Sequence, residues 1–174
     1  LRGLTALGLT LEEHQVEQLC RYLGELQKWN RSINLVAKAE EDTLIESHFL
    51  DSLTLVPLVN KCPPPGLMDV GSGAGFPGIA LKIACPDLMV TLVEPRQKRT
   101  SFLRQVIRSL DLQGIRVMET RLEKDNKQLL EFKECTPIIT SRAFASIRNF
   151  LELSEPYSAT AGKVICMKGP KANE

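Results

Sequence analysis

The chain has 174 residues, a net charge of +1, 43% hydrophobic and 25% charged residues. That composition suits one globular domain, or a domain with an extension, that can bury a real core. Charge this close to neutral excludes nucleic-acid binding through bulk charge, so any such binding needs a local patch, and no apolar run approaches the roughly 20 residues of a membrane span.

Everything before the Pro63-Pro64-Pro65-Gly66 run reads as helix. Thr10-x-x-Glu13 has the form of a capping box, and Val16, Leu19, Leu23 and Leu26 then recur at three- and four-residue spacing. A second helix is expected from Thr43-x-x-Glu46, carrying Ile45, Phe49, Leu53 and Val56. Two amphipathic helices bury little alone, so they should dock on the rest of the chain. The proline run stops the second helix. It divides an N-terminal helical extension, residues 1–62, from a core of residues 63–174.

After the prolines, strand and helix alternate. Strands are expected near 67–70, 88–93, 115–119, 137–140 and 163–167, and helices near 77–84, 97–110, 122–131 and 146–154. Alternation at this spacing predicts an α/β fold, a Rossmann-like doubly wound parallel sheet.

The first strand ends in Asp69, and Gly71, Gly73 and Gly75 follow at every second position before a helix opens. Such a loop lets backbone approach a ligand at a strand end and a helix N-terminus. Gly73-Ala-Gly75-Phe-Pro-Gly78 satisfies the dinucleotide pattern, but its first glycine lies three residues past the strand, and Asp69 would repel a pyrophosphate. S-adenosylmethionine (SAM), with a sulfonium and an ammonium, reverses that sign. The site is therefore read as a SAM pocket shaped by Asp69, Gly71, Gly73, Gly75 and Phe76, with a nicotinamide or flavin cofactor and a bare structural turn as the alternatives. Glu94 ends the second strand, where a carboxylate accepts hydrogen bonds from ribose hydroxyls; a solvated strand-end charge is the plain alternative.

Asp69-Val-Gly-Ser-Gly-Ala-Gly-Phe-Pro-Gly78, then Lys98-Arg99, Phe102-Leu103, Ser141-Arg142-Ala143 and Lys168-Gly169 in order, resemble the RsmG (GidB) family. Lys28-Trp29-Asn30, Asn34-Leu35 and His48-Phe-Leu-Asp51-Ser52-Leu53 resemble that family's helical extension. The resemblance runs from about Tyr22 to the last residues. It implies a bacterial SAM-dependent methyltransferase acting on N(7) of a guanine in 16S ribosomal RNA, on free rRNA or the small ribosomal subunit. It also implies that Leu122 and Glu123 hold the adenine, that Arg142 lies at the cofactor, and that further C-terminal sheet strands of the family are absent from this chain. For Glu123 the alternative is a first-turn acid complementing a helix dipole.

The fourth strand ends in Thr140-Ser141-Arg142-Ala143-Phe144, where methylation of an exocyclic amine would ask for an amine-accepting turn. A cation suits a ring nitrogen with a free lone pair, because guanine N7 and O6 are both acceptors and a guanidinium can bridge them. Arg142 is the expected catalytic residue, with a strand-capping role as the alternative. From Pro95 to Leu110 there are five cations, Arg96, Lys98, Arg99, Arg104 and Arg108, and no acid. Beside a cofactor loop they form a candidate phosphate track, joined by Lys168, although a run of this kind is often only a solvated face. His48 and Asp51 share one helical turn, could touch, and are read chiefly as structural, with a role in shaping the substrate pocket as the alternative. His14 is expected on a polar helix face without a role.

Five cysteines without a C-x-x-C pair, and no basic-then-apolar leader, predict buried thiols in a reducing cytoplasm. No metal cluster stands out, and a monomer is expected. The alternatives to an rRNA methyltransferase are a small-molecule methyltransferase and a non-catalytic rRNA-binding or assembly factor.

Overall fold

The computed structural model describes residues 2–60, 62–64, 66–142 and 146–167. Five strands form one parallel sheet: β1 Leu67–Val70, β2 Val90–Val93, β3 Ile115–Met118, β4 Thr136–Ser141 and β5 Ser158–Cys166, in the order β3-β2-β1-β4-β5. The helices are α1 Arg2–Ala6, α2 Glu13–Ile33, α3 Glu41–Leu44, α4 Asp51–Leu53, α5 Val56–Val59, α6 Gly78–Ala84, α7 Gln97–Ser109 and α8 Ile147–Ser154. Between α3 and α4 the segment Ile45–Leu50 winds as a π-helix. Short 3₁₀ turns occupy Lys127–Phe132 and Glu155–Tyr157.

Strand alternation sends Leu67, Val90, Leu92 and Ile138 to one face of the sheet and Met68, Val70, Val93 and Ile139 to the other. The first face carries α6, α7 and the N-terminal helices, with Tyr22, Leu26, Phe49 and Leu53 in one continuous core with the strands. The second face packs Leu122, Leu129, Phe132, Phe150 and Tyr157. Because both faces are covered, the central strands read as continuous apolar runs.

The extension differs from its expected form. The backbone N–H of Glu12, not Thr10, enters the capping contact, donating to Gln15 Oε1 at 2.8 Å. Gln15 is then free to turn its amide inward, donating to the carbonyls of Ile83 and Ala84 at 2.8 and 3.1 Å. Those are C-terminal carbonyls of α6 that the helix itself leaves unpaired. Asn34 stops α2 in the left-handed conformation, φ 45°.

Two expectations in the core also change. No helix spans 122–131: Asn126 donates to Thr120 Oγ1 and the Arg121 carbonyl and accepts from the Gln128 N–H, which holds 120–126 as a loop before the 3₁₀ turn. Strand β5 starts five residues earlier than expected, at Ser158, because its first half is carried by pairing with β4 through a register shift rather than by apolar side chains. The cysteines are not uniformly buried. Cys85 is, Cys20 is exposed, and Cys62, Cys135 and Cys166 are intermediate; all five are free thiols. Among the described residues no helix is long and apolar enough to cross a membrane.

Leu26 is fully buried in the core shared by α2 and the sheet. Leu26→Ala should cost about 2–5 kcal/mol through lost transfer energy and the cavity left behind. Urea denaturation should still show one cooperative transition, because the extension shares its core with the sheet; two transitions would contradict this shared packing.

Candidate functional site

The strand order changes direction between β1 and β4, and in open α/β sheets ligands bind beyond the carboxyl ends of the strands at such a point. The loop after β1 is built around Asp69. Its side chain has no exposure, and Oδ2 accepts the Gly78 N–H at 3.0 Å, which pins the start of α6 to the strand end. Oδ1 is buried without a hydrogen-bond partner. Burial pushes the carboxyl up to about 7, against the opposing pull of the Gly78 N–H and of Arg142.

Gly75 sits at φ +94°, and a Cβ there would lie 2.6 Å from Ile79 Cδ1 and 2.7 Å from the Tyr22 hydroxyl. Only a residue without a side chain fits. Tyr22 reaches across from α2 to donate its hydroxyl to the Ala74 carbonyl. The extension therefore packs directly on the glycine loop. Phe76, expected to shape the cofactor pocket, is instead 2% exposed in an aromatic cluster with Tyr22, His48 and Phe49 at ring-centroid distances of 5.1, 5.3 and 4.9 Å. Its neighbours come from the extension, which the sequence pattern did not pair with it.

A cavity of about 510 Å³ opens over the ends of β1 and β2, lined among others by Gly71, Glu94, Arg96, Arg99, Leu122 and Asn149. Five of the residues expected at cofactor or phosphate thus meet in one place: Gly71, Glu94, Arg96, Arg99 and Leu122. Asn149, from α8, was missed; it sits on a helix whose apolar spacing gives no hint of a site. Glu94 is 2% exposed, and its two carboxylate oxygens accept the N–H of Gly73 at 3.0 Å and of Arg96 at 2.9 Å. It joins the glycine loop to the start of α7 as well as facing the cavity. Glu123 does not line the cavity; it is exposed, and its carbonyl accepts the Tyr157 hydroxyl.

The basic run divides by position. Arg96 and Arg99 face this cavity, with Arg99 Nη1 3.9 Å from Glu94 Oε2. Lys98 is exposed. Arg104 pairs with Glu119 at 3.0 Å, and Glu119, also hydrogen-bonded by Thr100, is held below its ordinary carboxylate range. The Arg108 guanidinium donates to Gln105 Oε1 at 3.0 Å, and with Arg104, Arg116 and Trp29 the residue borders an open groove of about 610 Å³. Lys168 lies outside the described residues.

Arg142 is the largest departure from expectation. Its guanidinium, expected at the acceptor base, is taken up by the extension. Nη1 donates to the Ser47 carbonyl at 3.1 Å and lies 3.8 Å from Asp51 Oδ2, Nη2 lies 2.8 Å from His48 Nδ1, and the group sits 5.2 Å over the Phe76 ring. The physical reason is burial. A cation only 21% exposed needs counter-charge and acceptors; the π-helical turn supplies the acceptors at Ser47 and His48, and Asp51, at the start of α4, supplies the charge. His48 and Asp51 touch Arg142 rather than each other. His14 is exposed.

The family model for rRNA small subunit methyltransferase G matches residues 15–174. The chain belongs to that family. A ribosomal RNA small subunit methyltransferase G from Desulfotalea psychrophila is 42% identical over 174 residues, 99% of this chain and 78% of that protein. One from Chromobacterium violaceum is 42% identical over 168 residues, covering 97% and 77%. Among solved structures, a candidate protein-L-isoaspartate O-methyltransferase from Plasmodium falciparum, in complex with S-adenosyl-L-homocysteine, superposes with a TM-score of 0.59 at 16% identity over 98% of this chain and 83% of that one. A precorrin-6y C5,15-methyltransferase from Geobacter metallireducens superposes with a TM-score of 0.52 at 11% identity over 66% and 57%. At these identities the superpositions establish the fold: the Rossmann-like sheet of SAM-dependent methyltransferases.

The elevated Asp69 carboxyl has a testable sign. A proton held to about pH 7 in the folded state, against about 3.8 unfolded, stabilises the fold below pH 4, and that contribution is lost as pH rises towards 7. Asp69→Asn keeps an acceptor for Gly78 without the charge. The unfolding free energy of the variant minus that of the wild type should therefore grow between pH 4.5 and 7.5 in urea titrations. A constant difference would show that Asp69 has an ordinary pKa.

Proposed function

We propose that this protein transfers a methyl group from SAM to N(7) of a guanine in 16S ribosomal RNA, acting in the cytoplasm on the rRNA or the small ribosomal subunit. The observation that carries the reading is membership of the rRNA small subunit methyltransferase G family across residues 15–174. The site supports the cofactor on physical grounds. Asp69 Oδ1 is a buried acceptor without a partner, beside a glycine loop whose backbone a side chain would block. Such an orphan carboxylate oxygen favours a cationic ligand over a pyrophosphate.

In this reading Gly71, Gly73 and Gly75 bring backbone close to the cofactor, and Asp69, ionised above about pH 7, supplies negative charge beneath the loop for its ammonium. Glu94 serves the ribose hydroxyls through lone pairs that its two backbone contacts leave over. Leu122 covers the adenine from the third-strand loop. Glu123 offers its backbone there, since its side chain points to solvent. When bound, SAM presents a methyl on a sulfonium, which a ring-nitrogen lone pair accepts without losing a proton, so the protein needs no general base. What it must supply is alignment and exclusion of water. Arg96, Lys98, Arg99 and Arg108 are the cations proposed for rRNA phosphates, with Arg104 weakened in that role by Glu119.

The test is direct. Small subunits lacking the modification, incubated with the protein and SAM, should yield 7-methylguanosine on nucleoside mass spectrometry. Methyl on another nucleoside, or none on rRNA, would overturn the reading. Calorimetry should show SAM binding without NAD binding, and Glu94→Ala should weaken SAM at least tenfold.

The charge pairing ranks two cations. Arg108→Ala should reduce the slope of log Kd for rRNA against log salt by about one, the loss of one phosphate contact. Arg104→Ala should change it less, because its charge is already matched by Glu119. Equal slopes would mean that the Glu119 pair opens on binding.

A further inference from the structure

Beside the ends of β1 and β4 lies a second group of polar side chains, apart from those that line the 510 Å³ cavity. It is organised by the π-helical turn Ile45–Leu50, which brings the Ser47 carbonyl, His48 and the following Asp51 onto one guanidinium. Such turns occur frequently at functional sites, since the extra residue per turn re-aims side chains. Arg142 lies directly after β4, and Phe76, on which the His48 ring stacks at 5.3 Å and 22°, lies in the loop after β1. The imidazole is thereby held between the two strand ends that flank the switch in strand order.

The contact with Arg142 decides the tautomer. A guanidinium has five donors and no acceptor, so His48 Nδ1, 2.8 Å away, must accept. Burial and the Arg142 charge lower the His48 pKa to about 4, which leaves the ring neutral at physiological pH. Its single proton then resides on Nε2. Among the described residues the other polar partner of the ring is the Ser47 carbonyl, which also accepts from Arg142. The end of β4 thus holds a neutral imidazole, set by Arg142, that presents a single donor.

Building on the guanine reading above, we propose that His48 is a specificity-determining residue whose Nε2–H donates to O6 of the target guanine, with Arg142 as the residue that positions it. Guanine presents N7 and O6 as neighbouring acceptors, so one donor can seat the base on O6 and leave N7 free for the methyl. Adenine carries an amine at that place and would set donor against donor. A neutral donor also suits the reaction better than a bare cation, because N7 gains positive charge as its lone pair forms the new bond. The charge of Arg142 is offset by Asp51, 3.8 Å away.

The test pairs enzyme variants with an altered base. The full chain is assayed in single turnover on small subunits carrying, at the position mapped with wild type, either guanosine or 2-aminopurine, which keeps N7 and lacks O6. Wild type should lose roughly 10- to 100-fold on 2-aminopurine, the size expected for one good base contact. His48→Phe, which keeps the stacking and removes the donor, should lose a similar factor on guanosine and nothing further on 2-aminopurine. His48→Gln should recover part of the guanosine rate. Arg142→Met should likewise shrink the guanosine preference, a change that mere loss of stability does not produce. SAM affinity should stay within about twofold for both His48 variants. Multiplicative losses in His48→Phe, or a wild type indifferent to 2-aminopurine, would overturn the proposal. If His48→Phe does not fold, the guanosine preference of His48→Gln decides it: retained preference supports the donor, and abolished preference in a variant that still turns over counts against it. A wild type that forms no 7-methylguanosine on the guanosine subunits would overturn the guanine reading instead, before any variant is compared.

Discussion

A carboxylate buried at the end of β1 holds the start of α6, and most of the site inherits its position from that contact. Asp69 has no exposure and spends one oxygen on the Gly78 N–H. Burial makes the carboxyl costly to ionise by more than the neutral donors around it offset, which is why its pKa rises. The arrangement survives because it fixes the loop between Asp69 and Gly78 from both ends. With the loop held, Gly73 can offer its N–H to Glu94, and Glu94 can reach on to Arg96 at the head of α7. Two strand ends and two helix starts are thereby tied through two acidic side chains. Removing the charge by a neutral isostere and removing the acceptor altogether are different perturbations of this assembly.

The N-terminal helices complete the same site rather than decorate it. Tyr22 closes over the glycine loop, Phe49 and His48 pack on Phe76, and Gln15 satisfies the carbonyls at the far end of α6. These contacts lie in the core cluster that also contains Leu67 and Leu92. The glycine loop is consequently walled on one side by residues 20 or more positions upstream of it. A methyltransferase sheet alone would leave Phe76 and the Arg142 cation exposed to water.

Much of this was legible in the sequence because parallel strands buried on both faces must be apolar throughout. Leu67–Val70 and Val90–Val93 could be read to within two residues, and Glu94, just past the second, pointed at the cavity. The misreadings share a cause. Asn126 competes with the helix backbone through its own side chain, which propensity and apolar spacing do not register. The first half of β5 is held by pairing with β4, a non-local property. Arg142 was placed by what guanine would want, whereas its real partners lie 94 and 95 residues earlier. No local pattern reports a contact over that distance. The motif His48-x-x-Asp51 carried the signal, but as an intrahelical pair it pointed to the wrong interaction.

That long-range contact changes how the acceptor side of the site is understood. A free arginine at the end of β4 would be a mobile cation beside a cationic donor group, and the two charges would oppose each other across the reacting methyl. Held by Ser47, His48 and Asp51, the same arginine has its charge partly matched and its orientation set by two elements at once. It converts a histidine that could take either tautomer into one that presents a single hydrogen. The chain thus has acidic groups on the cofactor side, at Asp69 and Glu94, and a neutralised basic group on the acceptor side. For a reaction that moves positive charge from sulfur to nitrogen, that polarity is favourable: negative charge near the donor keeps the cation bound, and a neutral edge near the acceptor does not resist its arrival.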